Sequence, residues 1–247
     1  MKRPVHLRGA GLWAPGIDDI QAWMAGRSDG PLEPKAALIP PKLARRASFS
    51  SRMVAEVAGQ AAAGVDLSRV RTVHASAYGE VQTLEALLNM LYDDGVLSPA
   101  RFHNSVHNTA AGHLSIATGN RAFSTTIAAG GDTVAMGLLE AMALLQDGGE
   151  DVLVLFADEA PGPFGLPAFQ SLAVGLHLSA TRGLAELKTS EMYGKTSENF
   201  ETGKTSETFE PPAAFAHNPI APALAVIEAF HSRKSGPVLP GFDLVMT

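Results

Sequence analysis

Three closely spaced histidines, His103, His107 and His113, are the first residues in this sequence whose types could do chemistry. The spacing of four between His103 and His107 could place both rings on one face of a helix, as metal ligation requires. No Asp or Glu completes a convincing set of ligands around them. We therefore interpret the three histidines as packing or surface residues, and we expect no metal or other cofactor.

Nucleophiles are scarce in the chain. It contains no cysteine, which excludes disulfides, thiolate metal sites and a cysteine nucleophile together. No serine lies in the Gly-x-Ser-x-Gly sequence of a nucleophile elbow. Asp132 follows two glycines and could act as a carboxylate nucleophile, but the same position favours a helix cap. The glycine-rich sequences GAGLWAPG and AAGGD match neither the dinucleotide nor the P-loop pattern, and we interpret their glycines as tight turns.

The composition excludes several classes of partner. The hydrophobic fraction of 46% and the charged fraction of 18% are ordinary for a globular protein. A net charge of -6 without any basic run argues against a nucleic-acid partner. No segment reaches the roughly 18 consecutive apolar residues that a membrane span needs, and no apolar stretch follows the basic N-terminus. We expect a cytoplasmic protein with no membrane partner.

Strands and helices alternate through the first part of the chain. The apolar patterns predict strands over residues 5–12 and 70–77 and a helix over residues 51–63. A second helix is predicted to follow Gly79 and to end at Gly95, where a C-terminal glycine cap is expected.

The clearest unit is a strand, a helix and a second strand. Residues 123–128 are rich in β-formers, and a helix with an apolar stripe follows Asp132 and ends at Gly148. Residues 152–156 are continuously apolar, as a central parallel strand buried on both faces requires. This order predicts a right-handed βαβ crossover.

The pattern weakens after Glu159. The tetrapeptide Lys-Thr-Ser-Glu occurs three times within residues 188–210, a stretch without Leu, Ile or Val. Such a stretch can bury little, so we interpret it as an exposed loop, ribbon or disordered insert. A last helix is predicted over residues 219–230.

Residues 98–119, SPARFHNSVHNTAAGHLSIATG, resemble the stretch that precedes the nucleophile in β-ketoacyl synthases. The Ala-Gly-His-Leu sequence at residues 111–114 and the glycine at Gly119 match that family's spacing. ASAYG, at residues 75–79, resembles the family's second strand and turn, and GAGLWAPG resembles its first. Together these motifs cover residues 5–159, which correspond to the N-terminal half of a synthase.

The resemblance implies an α/β, thiolase-like layered fold, mainly its N-terminal half, with a shortened and divergent C-terminal part. We expect a synthase-like half over residues 1–187, the repeat insert over residues 188–210, and a C-terminal helix and tail over residues 211–247 that pack on the same domain. The second half of a synthase supplies two histidines that drive decarboxylation. They have no counterpart here, since no Gly-Thr-x-Thr or Gly-His-x-x-Gly sequence follows Glu159.

The family's nucleophilic cysteine falls on Gly131 of this sequence. Counting without gaps forward from residues 111–114 and backward from residues 151–159 gives the same position. A thiolate at this point would be stabilised by the N-terminal end of the following helix. Since glycine has no side chain, no acyl group can be attached there. The resemblance therefore implies a homologue without synthase activity of its own.

Nucleophile-less relatives in type II polyketide systems are chain length factors, and the resemblance points to that role. Such a subunit forms a heterodimer with a full-length β-ketoacyl synthase, completes its acyl tunnel and limits chain length, with an acyl carrier protein as a transient partner. Shortened relatives of this kind resemble those of bacterial aryl polyene pathways. The family's dimer forms along the strand before the nucleophile, which here comprises Phe123, Ser124, Thr125, Thr126, Ile127 and Ala128.

In chain length factors, the helix after the second strand closes the partner's tunnel. The corresponding stripe in this sequence consists of Val81, Leu84 and Leu88. The same periodicity is at least as typical of a helix that packs into the core of its own chain. Both interpretations of the stripe stay open at this point.

Two other functions fit the residues. The chain could be a stand-alone module that binds an acyl carrier protein without any synthase partner. It could also be an enzyme with unrelated chemistry near Asp132 and His113.

Overall fold

The computed structural model describes residues 3–162, 166–190 and 209–247. These residues form one eight-stranded sheet with helices packed on both of its faces. The strands are β1 (His6–Trp13), β2 (Arg71–Ala75), β3 (Ser124–Ile127), β4 (Asp151–Asp158), β5 (Leu172–Ser179), β6 (Ala185–Thr189), β7 (Gly236–Leu239) and β8 (Phe242–Met246). The helices are α1 (Ile20–Met24), α2 (Pro41–Ala44), α3 (Phe49–Ala61), α4 (Val81–Asp94), α5 (Pro99–Phe102), α6 (Thr109–Thr118), α7 (Thr133–Gln146) and α8 (Ala223–His231).

The strand order is β3-β2-β4-β5-β1-β6-β8-β7. β2 pairs parallel with β3 on one side and with β4 on the other, whereas the remaining pairs of the sheet are antiparallel. β3 and β4 therefore run parallel with β2 between them, and α7 connects them across the sheet. β4 is central and buried, but it pairs antiparallel with β5. The interpretation of residues 152–156 as a strand with parallel neighbours is therefore right for β2 and wrong for β5.

Different helices cover the two faces of the sheet, because successive strand residues point to opposite sides. Val152, Val154 and Phe156 of β4 belong to the core that α7 and α8 cover. Leu153 and Leu155 belong to the core that α3 and α6 cover on the other face. The alternation along one strand thus produces the layered α/β arrangement.

Glycines let α3 lie directly on the sheet. A Cβ placed on Gly11 of β1 or on Gly175 of β5 would lie within 2.7 Å of the carbonyl oxygen of Val57 in α3. The interpretation of the GAGLWAPG glycines as tight turns is therefore wrong for Gly11, which is needed for helix packing. It is right for Gly16, whose φ of +84° lies in the left-handed region after β1.

The structure confirms the four predicted helices as α3, α4, α7 and α8, with shifts of up to four residues in their bounds. α3 begins after Ser48, whose Oγ accepts a hydrogen bond from the N–H of Ser51 at 3.0 Å. α4 ends at Gly95, which has the left-handed conformation typical of a C-terminal cap.

None of the described helices combines the length and the apolar character that are needed to cross a membrane.

The C-terminal part adds more to the sheet than its sequence pattern predicts. No pattern indicates β5, β6, β7 or β8, yet β5 is buried over its whole length. Lys188 and Thr189 lie in β6, so the expected insert begins inside the sheet, and residues 191–208 lie outside the described residues. The last predicted helix is present as α8, and the segment after it forms two paired strands rather than a tail.

Candidate functional site

The turn between β3 and α7 is the place where the resemblance expects a nucleophile. A 3-10 turn over Gly130–Asp132 joins the strand to the helix, and Gly130 has a φ of +55°. Gly131 is exposed, and a Cβ placed on it would meet nothing within 4 Å. The position therefore has room for a side chain beside the N-terminal end of α7. The glycine itself offers no reactive group there.

Asp132 does not cap α7 with its side chain. The residue is exposed at the start of the helix, and no cap hydrogen bond to its carboxylate is present among the described residues. Thr133 closes the turn instead, since its Oγ1 accepts the N–H of Ala129 at 3.1 Å and donates to the carbonyl of Gly130 at 2.7 Å. The interpretation of Asp132 as a side-chain cap is therefore wrong.

The three histidines lie in three different surroundings. His103 is exposed directly after α5, and His107 lies in the loop before α6, with its Nε2 2.9 Å from the carbonyl oxygen of Ser76. His113 is buried in α6, with its Nδ1 2.8 Å from Oγ of Ser51. His103 and His107 therefore do not share a helix face. Within the described ranges, no group of three or more His, Asp or Glu side chains could hold a metal ion.

Asp132 and His113 do not form a joint site. Asp132 precedes α7, which packs on one face of the sheet. His113 belongs to α6, which packs with α3 on the other face. No hydrogen bond or charge interaction joins the two side chains in the described part of the chain.

Three buried carboxyl groups that the sequence analysis does not single out lie at the C-terminal end of β4 and at the start of α4. Asp158 and Glu159 are at most 1% exposed and Glu80 is 2% exposed. Burial raises the pKa of Glu80 to about 8 and that of Glu159 to about 7, and it raises the pKa of Asp158 above its ordinary value. The one sequence signal that points to them is the Asp-Glu pair directly after a continuously apolar strand.

His74 is a further buried titratable group, and it lies in β2. Its ring centroid lies 6.3 Å from that of His107, and burial lowers its pKa to about 3. Neither ring nitrogen has a hydrogen-bond partner in the described part of the chain. At neutral pH the ring is therefore uncharged and takes no part in ion pairing.

The stripe of α4 is exposed. Leu84 is 46% exposed and Leu88 is 44% exposed, while Val81 is half-buried. Leu87 is the one buried residue of the helix. The interpretation of the stripe as core of this chain is therefore wrong for both leucines.

Exposed apolar side chains are concentrated in one part of the chain. Ten of the thirteen large apolar side chains that are exposed in the described residues fall within residues 84–123. We call these ten the apolar segment, and they are Leu84, Leu88, Leu91, Tyr92, Val96, Leu97, Phe102, Val106, Ile116 and Phe123. Exposed apolar side chains that adjoin on a surface are typical of a protein–protein interface.

β3 is one edge of the sheet. It pairs in parallel with β2, from Ser124 opposite Thr72 to Ile127 opposite Ala75, and no other described strand pairs with it. The far side of β3 therefore presents backbone N–H and C=O groups for pairing. Phe123, which belongs to the apolar segment, directly precedes this edge.

Residues 20–236 match the family model for the β-ketoacyl synthase, N-terminal domain. The chain belongs to this family. The match continues well past residue 159, where the sequence motifs end, and it includes β5, β6 and α8. A comparison with curated proteins gives no match.

Solved structures with the same fold include ketosynthase complexes. A chain of the ketosynthase ApeO in complex with its chain length factor ApeC, from Xenorhabdus doucetiae, is 22% identical with a TM-score of 0.67, and 98% of each chain is covered. A chain of the ishigamide ketosynthase/chain length factor is 16% identical with a TM-score of 0.58, over 76% of this chain and 67% of that one. A chain of AntDE:AntF, a type II PKS acyl-carrier protein in complex with its ketosynthase, is 17% identical with a TM-score of 0.58, over 72% of this chain and 63% of that one. At these identities the likeness shows the fold, which is the expected thiolase-like α/β fold.

Proposed function

We propose that this chain is a non-catalytic, chain-length-factor-like subunit of a synthase complex. It pairs with a full-length β-ketoacyl synthase, completes the acyl tunnel of that synthase and influences chain length in a bacterial polyketide pathway of the aryl polyene type. The observation that carries this proposal is the exposed turn at Gly131, which has room for a nucleophile at a helix N-terminus in a chain without cysteine. A synthase-family domain without the reacting group has to act through a partner.

The edge of β3 and the apolar segment support a synthase as that partner. An unpaired strand edge is stabilised by pairing with another strand, and exposed leucines are stabilised by burial in an interface. Both features come from the same part of the chain, residues 84–128. The Xenorhabdus doucetiae structure contains a ketosynthase with its chain length factor, and its matched chain has nearly the length of this one, which favours a short partner subunit.

The exposure of Leu84 and Leu88 supports a role of α4 in the partner's tunnel. An apolar tunnel that opens toward a partner subunit can be closed by apolar side chains of an exposed helix. α4 offers these two leucines and the half-buried Val81 on one stripe. In this proposal the size of the side chain at position 84 limits the acyl chain, which an acyl carrier protein delivers during a transient contact.

Co-expression with a β-ketoacyl synthase encoded beside this protein, followed by size-exclusion chromatography, tests the pairing. We expect a stoichiometric heterodimer for the wild type and loss of co-elution for Phe123→Asp, which places a charge at the edge of β3. Leu184→Asp is the matched control, because Leu184 is 54% exposed against 52% for Phe123 and lies outside the apolar segment. Undisturbed co-elution of Phe123→Asp would contradict the proposed interface.

The same experiment, repeated with an acyl carrier protein present, separates a stand-alone module from this function. A stand-alone module would not associate with the synthase and would co-elute with an acyl carrier protein alone. An enzyme built on Asp132 and His113 finds no support, because their helices pack on opposite faces of the sheet.

A further inference from the structure

α4 is attached to the body of the protein at its N-terminal end. Only Leu87 of its 14 residues is buried, so apolar packing along the helix contributes little to its placement. At the end of β4, Asp158 accepts hydrogen bonds from the segment that leads into the helix, and Glu159 accepts one from the first turn of the helix. The direction of α4 is therefore determined at its first turn.

Asp158 holds the turn between β2 and α4. Its carboxylate accepts hydrogen bonds from Oγ of Ser76 at 2.7 Å and from the N–H groups of Ala77 and Tyr78 at 3.0 Å. Ser76 Oγ in turn accepts the N–H of Gly79 at 2.7 Å. A buried acceptor with three donors joins the ends of β4 and β2 firmly, because losing any donor would leave part of the carboxylate unsatisfied.

Glu159 joins the first turns of two helices. Its Oε1 accepts the N–H of Gln82, the second residue of α4, at 2.8 Å. Its carboxylate also accepts the N–H of Ser50, the second residue of α3. N–H groups at these positions have no partner within their own helix. One carboxylate thus supplies the missing acceptor to both helices and ties α4 to the buried α3.

Glu80 adds a second link between the same two helices. Its Oε1 accepts a hydrogen bond from Oγ of Ser48 at 3.0 Å, and Ser48 caps α3 through the N–H of Ser51. Burial, together with the neighbouring Glu159, raises the pKa of Glu80 to about 8. Glu80 is therefore mostly protonated at neutral pH and does not oppose the charge of Glu159.

We propose that Asp158 and Glu159 are positioning residues that set the direction of α4, and through it the placement of Leu84 and Leu88 in the partner's tunnel. This inference rests on the proposed function of α4 in closing that tunnel. The two carboxylates do not touch the acyl chain. A change of about 10° in direction at the first turn moves position 88, roughly 10 Å along the axis, by about 2 Å.

Hydrogen exchange of the full chain tests the first half of the proposal. Glu159→Gln keeps one acceptor oxygen and Glu159→Ala keeps none, so exchange in the first turn of α4 should rise in that order, by at least about tenfold for Ala, while α7 stays unchanged. Asp151→Ala is the matched control, because Asp151 begins the same strand and pairs with Arg8 at 3.1 Å instead. Unchanged exchange of α4 in Glu159→Ala overturns the proposal.

Glu159→Gln keeps the test decisive if Glu159→Ala does not fold. In that variant we expect exchange to rise by at least about threefold in the first turn of α4 and not in α7. A rise of the same size in both helices, or none in either, overturns the positioning role.

Product length in the reconstituted heterodimer tests the second half. We expect Glu159→Gln to broaden the distribution of product lengths and Asp151→Ala to leave it unchanged. Leu84→Phe, measured beside them, tests the proposed function directly. A shift with Leu84→Phe but not with Glu159→Gln overturns the positioning role and leaves the proposed function standing. No shift with either variant overturns both.

Discussion

α4 and α7 are helices of equal length in opposite surroundings. Each has 14 residues, and each follows a strand in the parallel part of the sheet. α7 buries six of its residues, including Leu138, whereas α4 buries only Leu87. Both helices have an apolar stripe in the sequence, so the difference lies in what packs against the stripe.

A small residue allows α7 to lie on its own sheet. A Cβ placed on Gly137 would lie 2.9 Å from the ring of Phe156 and 3.0 Å from the Cβ of Ala75. α4 contains no glycine, and its stripe consists mainly of leucines. Apolar periodicity therefore identifies the face of a helix, but it does not identify the surface that covers the face. For α7 that surface is the sheet, and for α4 we propose that it is another subunit.

The largest effect that separates the two helices is expected for Leu138→Ala. Leu138 is fully buried, so truncation leaves a cavity and should lower the free energy of unfolding by about 2–5 kcal/mol. Leu84→Ala removes the same atoms from an exposed position and should cost less than about 0.5 kcal/mol in the isolated chain. Urea unfolding of the two purified variants measures both values. Equal losses would place α4 in the core of its own chain.

A second effect follows from the buried acids at the start of α4. Their pKa values, about 8 for Glu80 and about 7 for Glu159, lie above the ordinary 4.5 of a glutamate. A carboxyl group whose pKa is raised on folding stabilises the fold at low pH, and this stabilisation is lost as the pH rises through the folded pKa. We expect the free energy of unfolding to fall by on the order of 2 kcal/mol between roughly pH 6.5 and pH 8.5.

Glu80→Gln provides the control for this pH dependence. The amide cannot ionise, so the fall between pH 6.5 and pH 8.5 should become clearly shallower than in the wild type. Above roughly pH 6.5 an unperturbed histidine is mostly neutral. His74 therefore contributes little to the pH dependence of the free energy of unfolding in this window, and the carboxyl groups contribute most of it. Denaturant unfolding at several pH values measures the slopes. If the free energy of unfolding instead rises between roughly pH 6.5 and pH 8.5, the buried acids are not the main cause of its pH dependence.

Local signals account for the parts of the fold that the sequence predicts. Gly79 and Gly95 mark the ends of α4, and the apolar run of β4 stands out from its surroundings. β5 could not be found in the same way, although every one of its residues is buried. Gly175, which lies beneath α3, and His177, which lies 3.5 Å from Asp151, interrupt its apolar run.

The candidate site was predictable to the extent that its signals lie close together in sequence. The position of Gly131 follows from counting without gaps from the motif that precedes it and from the strand that follows it. The roles of Asp158 and Glu159 depend on donors that are distant in sequence, since Gln82 lies 77 residues from Glu159. Such pairings arise only when β2 and β4 become neighbours, and no single-sequence pattern reports them.

The smallest effect is expected for Gly131→Cys at the start of α7. The position is open, so the free energy of unfolding should change by less than about 0.5 kcal/mol. The variant alone should not turn over a malonyl substrate, because a nucleophile and its base must act together. Mass spectrometry should detect slow self-acylation at most. Turnover by the isolated variant would show that this chain contains the remaining groups of a synthase.

Product length in the reconstituted heterodimer tests most directly whether α4 acts on a partner's acyl chain. We predict longer products for Leu84→Ala and shorter products for Leu84→Phe, with the melting temperature of the heterodimer nearly unchanged in both. Leu32→Ala is the control, since Leu32 is 71% exposed and lies outside the apolar segment, and it should leave product length unchanged. Unchanged product length in both Leu84 variants, in heterodimers that form normally, would contradict the proposed role.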